Sequence, residues 1–462
     1  MASKSLIKEL RRAVGKENLL VSPTERALYS YDSSLAKGKI PEIVVLPTST
    51  EQVASAVRLA NKYRIPVTPR GAGTNLSGGT VTPEGGLVIS LTRMDRILEI
   101  DTANERVVVE PGVVNLELQE RLGAYGYEFR PDPASQKAST LGGNIAENAG
   151  GPHCLKYGVT TNHVLGLEVV LPNGEVTSMG GKAEGIPGYD LIGLLVGSEG
   201  TFGIVTKAVL RISPLPRALR SLLAVFDDLG KAGKSTRDIV AAGILPAALE
   251  IMDKLMIWAV NQSGGVSYPE GAEAVLIVEL DGYEEALDRR LAQCEEICRS
   301  NGAQSISTAF SAAERTRLWA GRKGAFGAGA RISPAFLVND GTVPRDKLPE
   351  VLAALGEIGR KHRVRIGNVF HAGDGNLHPN IYYGVDDVEE RERAHQAAYE
   401  ILEVCAKAGG TISGEHGTGM EKLKAMPLIF SPVEISLMKR IKSVFDPEGR
   451  CNPGKVLPAE AV

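Results

Sequence analysis

PRGAGTNLSGG, residues 69–79, follows a short run of strand-forming residues and sets four glycines within eleven positions. Residues this small let consecutive backbone N–H groups close on phosphate oxygens, so the loop reads as a diphosphate cradle as readily as a plain turn. Leu76 stands where the third glycine of G-x-G-x-x-G would fall, and the loop has no P-loop lysine, so neither the Rossmann nor the P-loop pattern applies. Upstream lie a strand at 43–46 and an amphipathic helix at 51–63, which make the loop the end of an αβ unit.

Two further glycine clusters repeat this chemistry, at residues 131–151 (PDPASQKASTLGGNIAENAGG) and 197–206 (GSEGTFGIVT). The chain has 52 glycines in 462 residues, above the usual share of about 7%, and clusters of them fall in these loops. Strands are expected at 66–69, 87–91, 107–110, 166–171 and 202–212, with Asn173-Gly174 as a two-residue hairpin turn. Pro214 and Pro216 break the pattern, which places a domain boundary there. Beyond it come a strand at 274–280, helices at 284–300 and 347–362, a strand pair within 364–383 and a long helix at 388–408. The fold class expected is α+β: a glycine-loop domain over 1–215, an α/β substrate or cap domain over 216–425, and a segment over 426–462 that packs back on the first.

Composition excludes several roles. A net charge of −3 with 23% charged residues gives no basic face for nucleic acid or anionic lipid. The apolar runs at 191–196 and 274–280 fall far short of the ~20 residues that span a bilayer, and the charged N-terminus does not read as a secretory signal. A cytoplasmic location is expected. Five cysteines without a C-x-x-C pair argue against a disulfide framework or an iron–sulfur cluster, and Cys294 and Cys298, four apart on a helix, read as shared packing.

Three of only seven histidines fall in two short motifs, HAGDGNLHP (371–379) and GEHGTG (414–419). If Asp374-Gly375 forms a two-residue turn, His371 lies directly opposite His378, with Cβ atoms about 5 Å apart on one face. Glu415 then offers a third ligand, giving two imidazoles and a carboxylate around a divalent cation that keeps open positions for substrate. Any one of these histidines alone reads better as a turn cap; the set does not.

The glycine loops resemble the FAD-binding domain of the vanillyl-alcohol oxidase and p-cresol methylhydroxylase family over residues 41–213. The histidine motifs, with WAGRKGAF (319–326) and CNPGK (451–455), resemble the FAD-linked 2-hydroxy acid dehydrogenases: the glycolate oxidase flavoprotein subunit, D-lactate dehydrogenases and D-2-hydroxyglutarate dehydrogenases. This resemblance implies that Arg70, Gly71, Ala72, Gly73, Thr74 and Asn75 wrap the FAD diphosphate, the Arg70 side chain being alternatively structural. It also implies that Pro131, Ser135, Thr140, Gly143, Asn144 and Ile204 line the rest of the cofactor, to which Asn452 returns. His371, His378 and Glu415 correspond to metal ligands, with zinc expected first and manganese or iron as alternatives. His416 corresponds to the catalytic base and Arg322 to the binder of the substrate carboxylate. The glycine loop has neither histidine nor cysteine, so the flavin is expected to be noncovalent.

The implied reaction oxidises a small 2-hydroxy acid, glycolate or D-lactate, with the hydroxyl proton going to His416 and hydride to flavin N5. Val338 stands where the 2-hydroxyglutarate branch carries a lysine, which argues for a monocarboxylate. Electrons must leave to a partner, for example an iron–sulfur subunit or an electron-transferring flavoprotein, so an oligomer or hetero-complex is expected. Competing readings are D-2-hydroxyglutarate oxidation, an alkyl-glycerone-phosphate synthase-like transferase, or a noncatalytic electron relay.

Overall fold

The computed structural model describes residues 3–459 apart from 184 and 186, so the expected domain ends at 1 and 462 lie outside the described residues. The chain forms two units. The first comprises residues up to Gly150, Val159–Leu215 and everything from Glu415 onward; the second comprises Gly151–Gly158 and Pro216–Gly414. The second unit therefore ends at Gly414, where the sequence reading carried it to 425.

In the first unit, strands Ile43–Val45, Leu87–Ser90 and Val67–Arg70 run parallel, with Leu19–Leu20 antiparallel at the edge. Helix Thr50–Lys62 starts at a Ser49 cap and buries Val53, Ala54, Ala56, Val57 and Ala60 against Ile43, Val45, Leu87 and Ile89. Its apolar stripe follows the helical period, which is why its bounds were legible. A five-stranded antiparallel sheet follows, in the order Ile97–Asp101, Arg106–Val109, Ile204–Arg211, Val164–Val170, Val176–Gly180. Along Ile204–Arg211 buried and half-buried residues alternate strictly, as one covered face requires.

The hairpin after Val170 has three loop residues rather than the expected two. Leu171 N–H donates to Glu175 O and Gly174 N–H to Leu171 O, with Gly174 at φ +85°. That is a turn followed by one left-handed residue, which matches the strand twist at the cost of one extra position. The C-terminal segment returns to the parallel sheet: Val67 N–H donates to Arg450 O (2.8 Å) and Asn452 N–H to Val67 O (2.7 Å).

The second unit, among the described residues, is built on a seven-stranded antiparallel sheet in the order Ser305–Ala309, Ala218–Phe226, Ala274–Gly282, Ala248–Asp253, Arg365–His371, Pro379–Tyr383, Ala335–Val338. Helices Leu229–Ala241, Glu284–Ser300, Leu348–His362 and Val388–Lys407 pack into one core. Helices Lys254–Ser263 and Ala312–Ala328 contribute to a second. With cover on both faces, Ala274–Asp281 are buried without alternation. Cys294 and Cys298 are buried in the larger core, and burial pushes both thiols up to about 12.

Glu279 lies within this sheet with 1% of its side chain exposed. It accepts hydrogen bonds from Arg315 Nε (2.6 Å), Trp319 Nε1 (2.7 Å) and Ser221 Oγ (3.1 Å), and His153 Nε2 lies 3.3 Å away. Burial alone would push its pKa up, but His153 and the Arg315 guanidinium outweigh it and hold the carboxyl at about 2. A depressed carboxylate pKa contributes stability that is present above the unfolded value and lost as pH falls through the folded one. At about 1.4 kcal/mol per unit, the fall from pH 4.5 to 3 should cost the wild type roughly 2 kcal/mol more than Glu279→Gln. Urea midpoints across that range check this; equal slopes would remove Glu279 as the acid-sensitive group.

Candidate active site

The strand Arg365–His371 pairs with Pro379–Tyr383 in a register that sets Asn368 opposite Pro379, and His371 opposite Asn376. The expected pairing of His371 with His378 is therefore corrected: the loop is Ala372–Gly375, not the two residues Asp374-Gly375. Asp374 Oδ1 accepts Asn376 N–H (3.1 Å), and Val343 N–H donates to Gly375 O (3.0 Å). Gly375 has φ +80°, and a Cβ there would stand 2.0 Å from Val343 O, so the loop bends only with glycine. The register differs by two positions, an even number, and strand side chains repeat every two residues. His378 consequently stays on the face of His371 as its diagonal neighbour, with ring centroids 5.0 Å apart at 81°. Ligand-capable atoms of the two imidazoles lie within 4.8 Å of each other.

Around this pair the second unit supplies two buried carboxylates that the sequence reading missed. Glu250, on Ala248–Asp253, has Oε1 2.6 Å from His371 Nδ1 and accepts Arg322 Nε at 2.6 Å through Oε2. Burial works to raise its pKa, but the Arg322 guanidinium and His371 outweigh it and hold the carboxyl below the usual range. Asp340 Oδ1 is 3.6 Å from His378 Nε2, and Asp340 also accepts Ser413 Oγ–H (2.6 Å) and, through its carbonyl, Gly414 N–H (2.9 Å). The chain is thus tied beside His378 at the residue that precedes Glu415. A lone Glu in the apolar run LPAALEIMD was the available signal for Glu250; Asp340, in VNDGT, resembled an ordinary turn aspartate.

Glu415 and His416 belong to the first unit, where a carboxylate oxygen of Glu415 lies 3.8 Å from His416 Nε2. The His416 carbonyl accepts Ser77 Oγ–H (2.9 Å) and Asn75 Nδ2–H (3.4 Å), which anchors the GEHGTG loop to the 69–79 loop. Glu199, from the third glycine cluster, accepts Thr418 N–H (2.6 Å) and Gly419 N–H (2.8 Å).

The three glycine loops border a cavity lined by Arg70, Gly71, Gly79, Gly142, Gly143, Glu147, Ser198, Glu199, Gly200 and Ile204, among others. Asn75 holds its own loop shut, its Oδ1 accepting Ser77 N–H and Gly79 N–H. Arg70 turns inward: Nη1 donates to Tyr31 O (2.7 Å) and Thr80 Oγ1 (2.9 Å), and the guanidinium lies over Tyr29. Thr140 caps helix Leu141–Glu147, and a Cβ at Gly71 would fall 2.3 Å from Thr140 Oγ1, so the first two glycine loops meet in van der Waals contact. Pro131 O accepts Asn115 Nδ2–H, while Ser135 shapes the intervening turn by accepting Ala138 and Ser139 N–H. Asn452 Nδ2 donates to Gly79 O and Glu199 O. Asn144 Nδ2, Ser139 Oγ and Asn452 Oδ1 are buried with no hydrogen-bond partner among the described residues, as the wall of a polar cofactor's site would be.

The profile described as "FAD linked oxidases, C-terminal domain" matches residues 215–456, and that described as "FAD binding domain" matches 41–180. The chain belongs to the FAD-linked oxidases. It is 42% identical to the glycolate oxidase subunit GlcD of Escherichia coli (strain K12), over 98% of this chain and 91% of that one. It is 37% identical to a D-lactate dehydrogenase of Anaerostipes hadrus, over 96% of each chain. p-Cresol methylhydroxylase superposes with a TM-score of 0.82 at 19% identity, covering 98% of this chain and 96% of that one, which carries the fold alone. This FAD-linked oxidase is therefore an FAD-dependent oxidoreductase with a p-cresol methylhydroxylase-type flavin domain and a second domain. Among its described residues no helix is long and apolar enough to cross a membrane.

Because Gly71 touches Thr140, Gly71→Ala should separate the two loops that wall the flavin cavity. The purified variant is expected to carry less than about a tenth of the wild-type FAD per chain, read from the ratio of visible to ultraviolet absorbance, with unchanged far-ultraviolet dichroism. Full FAD occupancy would contradict that packing.

Proposed function

We propose that this FAD-linked oxidase converts a small 2-hydroxy monocarboxylate, glycolate or D-lactate, to the 2-oxo acid, using noncovalent FAD and a divalent cation. The observation that carries the reading is the pair His371 and His378 on one sheet face, backed by Glu250, which also holds Arg322. The glycolate oxidase subunit and the D-lactate dehydrogenase among the relatives support that substrate class.

When bound, the flavin supplies a hydride acceptor and the cation a Lewis acid that lowers the pKa of the substrate hydroxyl. His371 meets Glu250 through Nδ1, so its Nε2 is the ligand atom, in the carboxylate–histidine–metal pattern that fixes a ring's tautomer. His378 is the second ligand and Glu415, the residue after the anchored Gly414, the third. Two imidazoles and a carboxylate favour zinc, then manganese or iron. Arg322 binds the substrate carboxylate while Glu250 fixes its guanidinium. His416, an imidazole, accepts the hydroxyl proton, and its anchored carbonyl fixes where the ring starts.

Val338 carries no charge to meet a second carboxylate, which favours monocarboxylates over 2-hydroxyglutarate. Glycolate and D-lactate differ by one methyl group, worth only about 1–3 kcal/mol in a pocket. The electrons pass on to a partner subunit in a complex, an iron–sulfur protein or an electron-transferring flavoprotein, in the cytoplasm.

Anaerobic mixing with glycolate, D-lactate, L-lactate and D-2-hydroxyglutarate, one at a time, tests this. Glycolate or D-lactate should bleach the flavin's visible band, and His416→Ala should keep its FAD while bleaching about 10²–10⁴-fold more slowly. A yellow protein that no hydroxy acid bleaches would leave the transferase or electron-relay reading, and wild-type bleaching by His416→Ala would remove the base.

A further inference from the structure

Helix Ala312–Ala328 carries Arg322 and, one residue before it, a glycine in mid-helix, where alanine is favoured. Gly321 is there for space: a Cβ would stand 2.1 Å from Tyr268 Oη and 2.8 Å from its Cζ. The helix therefore gives up a side chain to admit a phenol oxygen beside Arg322. Tyr268 is only 5% exposed and packs in the core with Met256, Val260 and Ala325. Its backbone is clamped by Asn261, whose Nδ2 donates to Tyr268 O (3.1 Å) and whose Oδ1 accepts Tyr268 N–H (2.8 Å).

What this construction holds in place is a hydroxyl with no hydrogen-bond partner among the described residues. Buried hydroxyls are normally paired, and one that is built in unpaired needs a reason. Arg322 supplies a second such feature: Nε donates to Glu250 (2.6 Å), and its two terminal nitrogens make no hydrogen bond among the described residues. The Arg322 charge reaches the phenol, yet burial outweighs it and pushes the hydroxyl up to about 12, so the phenol keeps its proton at neutral pH and can donate it.

We propose that Tyr268 Oη and the terminal nitrogens of Arg322 together form the cradle for the substrate's carboxylate, with Tyr268 as a positioning and selectivity residue. This rests on the assignment of Arg322 made above. Two donors of different shape match the two oxygens of one carboxylate, so the cradle orients the acid as well as holding it, which a lone guanidinium on a flexible stem does less well.

Tyr268→Phe in the FAD-loaded full chain tests the cradle, with calorimetric titration of pyruvate, a 2-oxo acid that is not oxidised, and of its neutral methyl ester. The expected result is a pyruvate Kd raised about tenfold, an ester Kd changed less than about twofold, and KM for the oxidised hydroxy acid raised with kcat less affected. The melting temperature without ligand should be unchanged or higher, because the lost hydroxyl had no partner. An unchanged pyruvate Kd, or a melting temperature lowered by several degrees, overturns the proposal. Wild-type pyruvate binding without oxidation of any hydroxy acid would defeat the functional reading while leaving the cradle standing; no wild-type pyruvate binding would defeat the cradle.

Discussion

Glu250 has none of its side chain exposed and stands between Arg322 and His371. A carboxylate in that setting survives only because two partners meet it; removing one partner of a buried ion pair typically costs about 3–5 kcal/mol, since the remaining charge is left stranded. The same oxygens that satisfy this requirement aim the two residues. Oε1 turns one imidazole and Oε2 fixes one guanidinium, so the proposed metal ligand and the proposed carboxylate binder share one backing group. Everything proposed for the second unit follows from that sharing, including the orientation of Arg322 beside the Tyr268 hydroxyl.

The first unit meets a different constraint, close approach of side chains to bare backbone. Gly71 against Thr140, and Glu199 against the N–H groups of Thr418 and Gly419, tie four separate stretches of chain together. His416 belongs to this assembly through its carbonyl. The loop that carries the proposed base is thus bound to the first glycine loop, and the carboxyl group of Glu415 comes with it.

Much of this was legible in the sequence where a period or a restricted residue type carried it. The Thr50–Lys62 and Glu284–Ser300 helices announced themselves by apolar spacing, and the glycine clusters by composition. The histidine pair was found on the right face for an incomplete reason: the loop is longer than two residues, and only the even size of the register difference preserved the facing. Strands Ala218–Phe226, Ala248–Asp253, Ser305–Ala309 and Ala335–Val338 escaped because a sheet covered on both faces needs no alternation, and short edge strands carry little pattern of their own. Tyr268 was beyond reach, since a lone tyrosine in a loop gains meaning only when the helix glycine is seen to face it.

The role of the cation is the claim on which the chemistry turns, and metal content measured together with flavin reduction tests it most directly. Protein stripped by a chelator and reloaded in steps should reduce its flavin at a rate proportional to occupancy, saturating at one divalent ion per chain, while His378→Ala should bind none. Full-rate reduction by the stripped protein, or unaltered metal content in His378→Ala, would contradict the account.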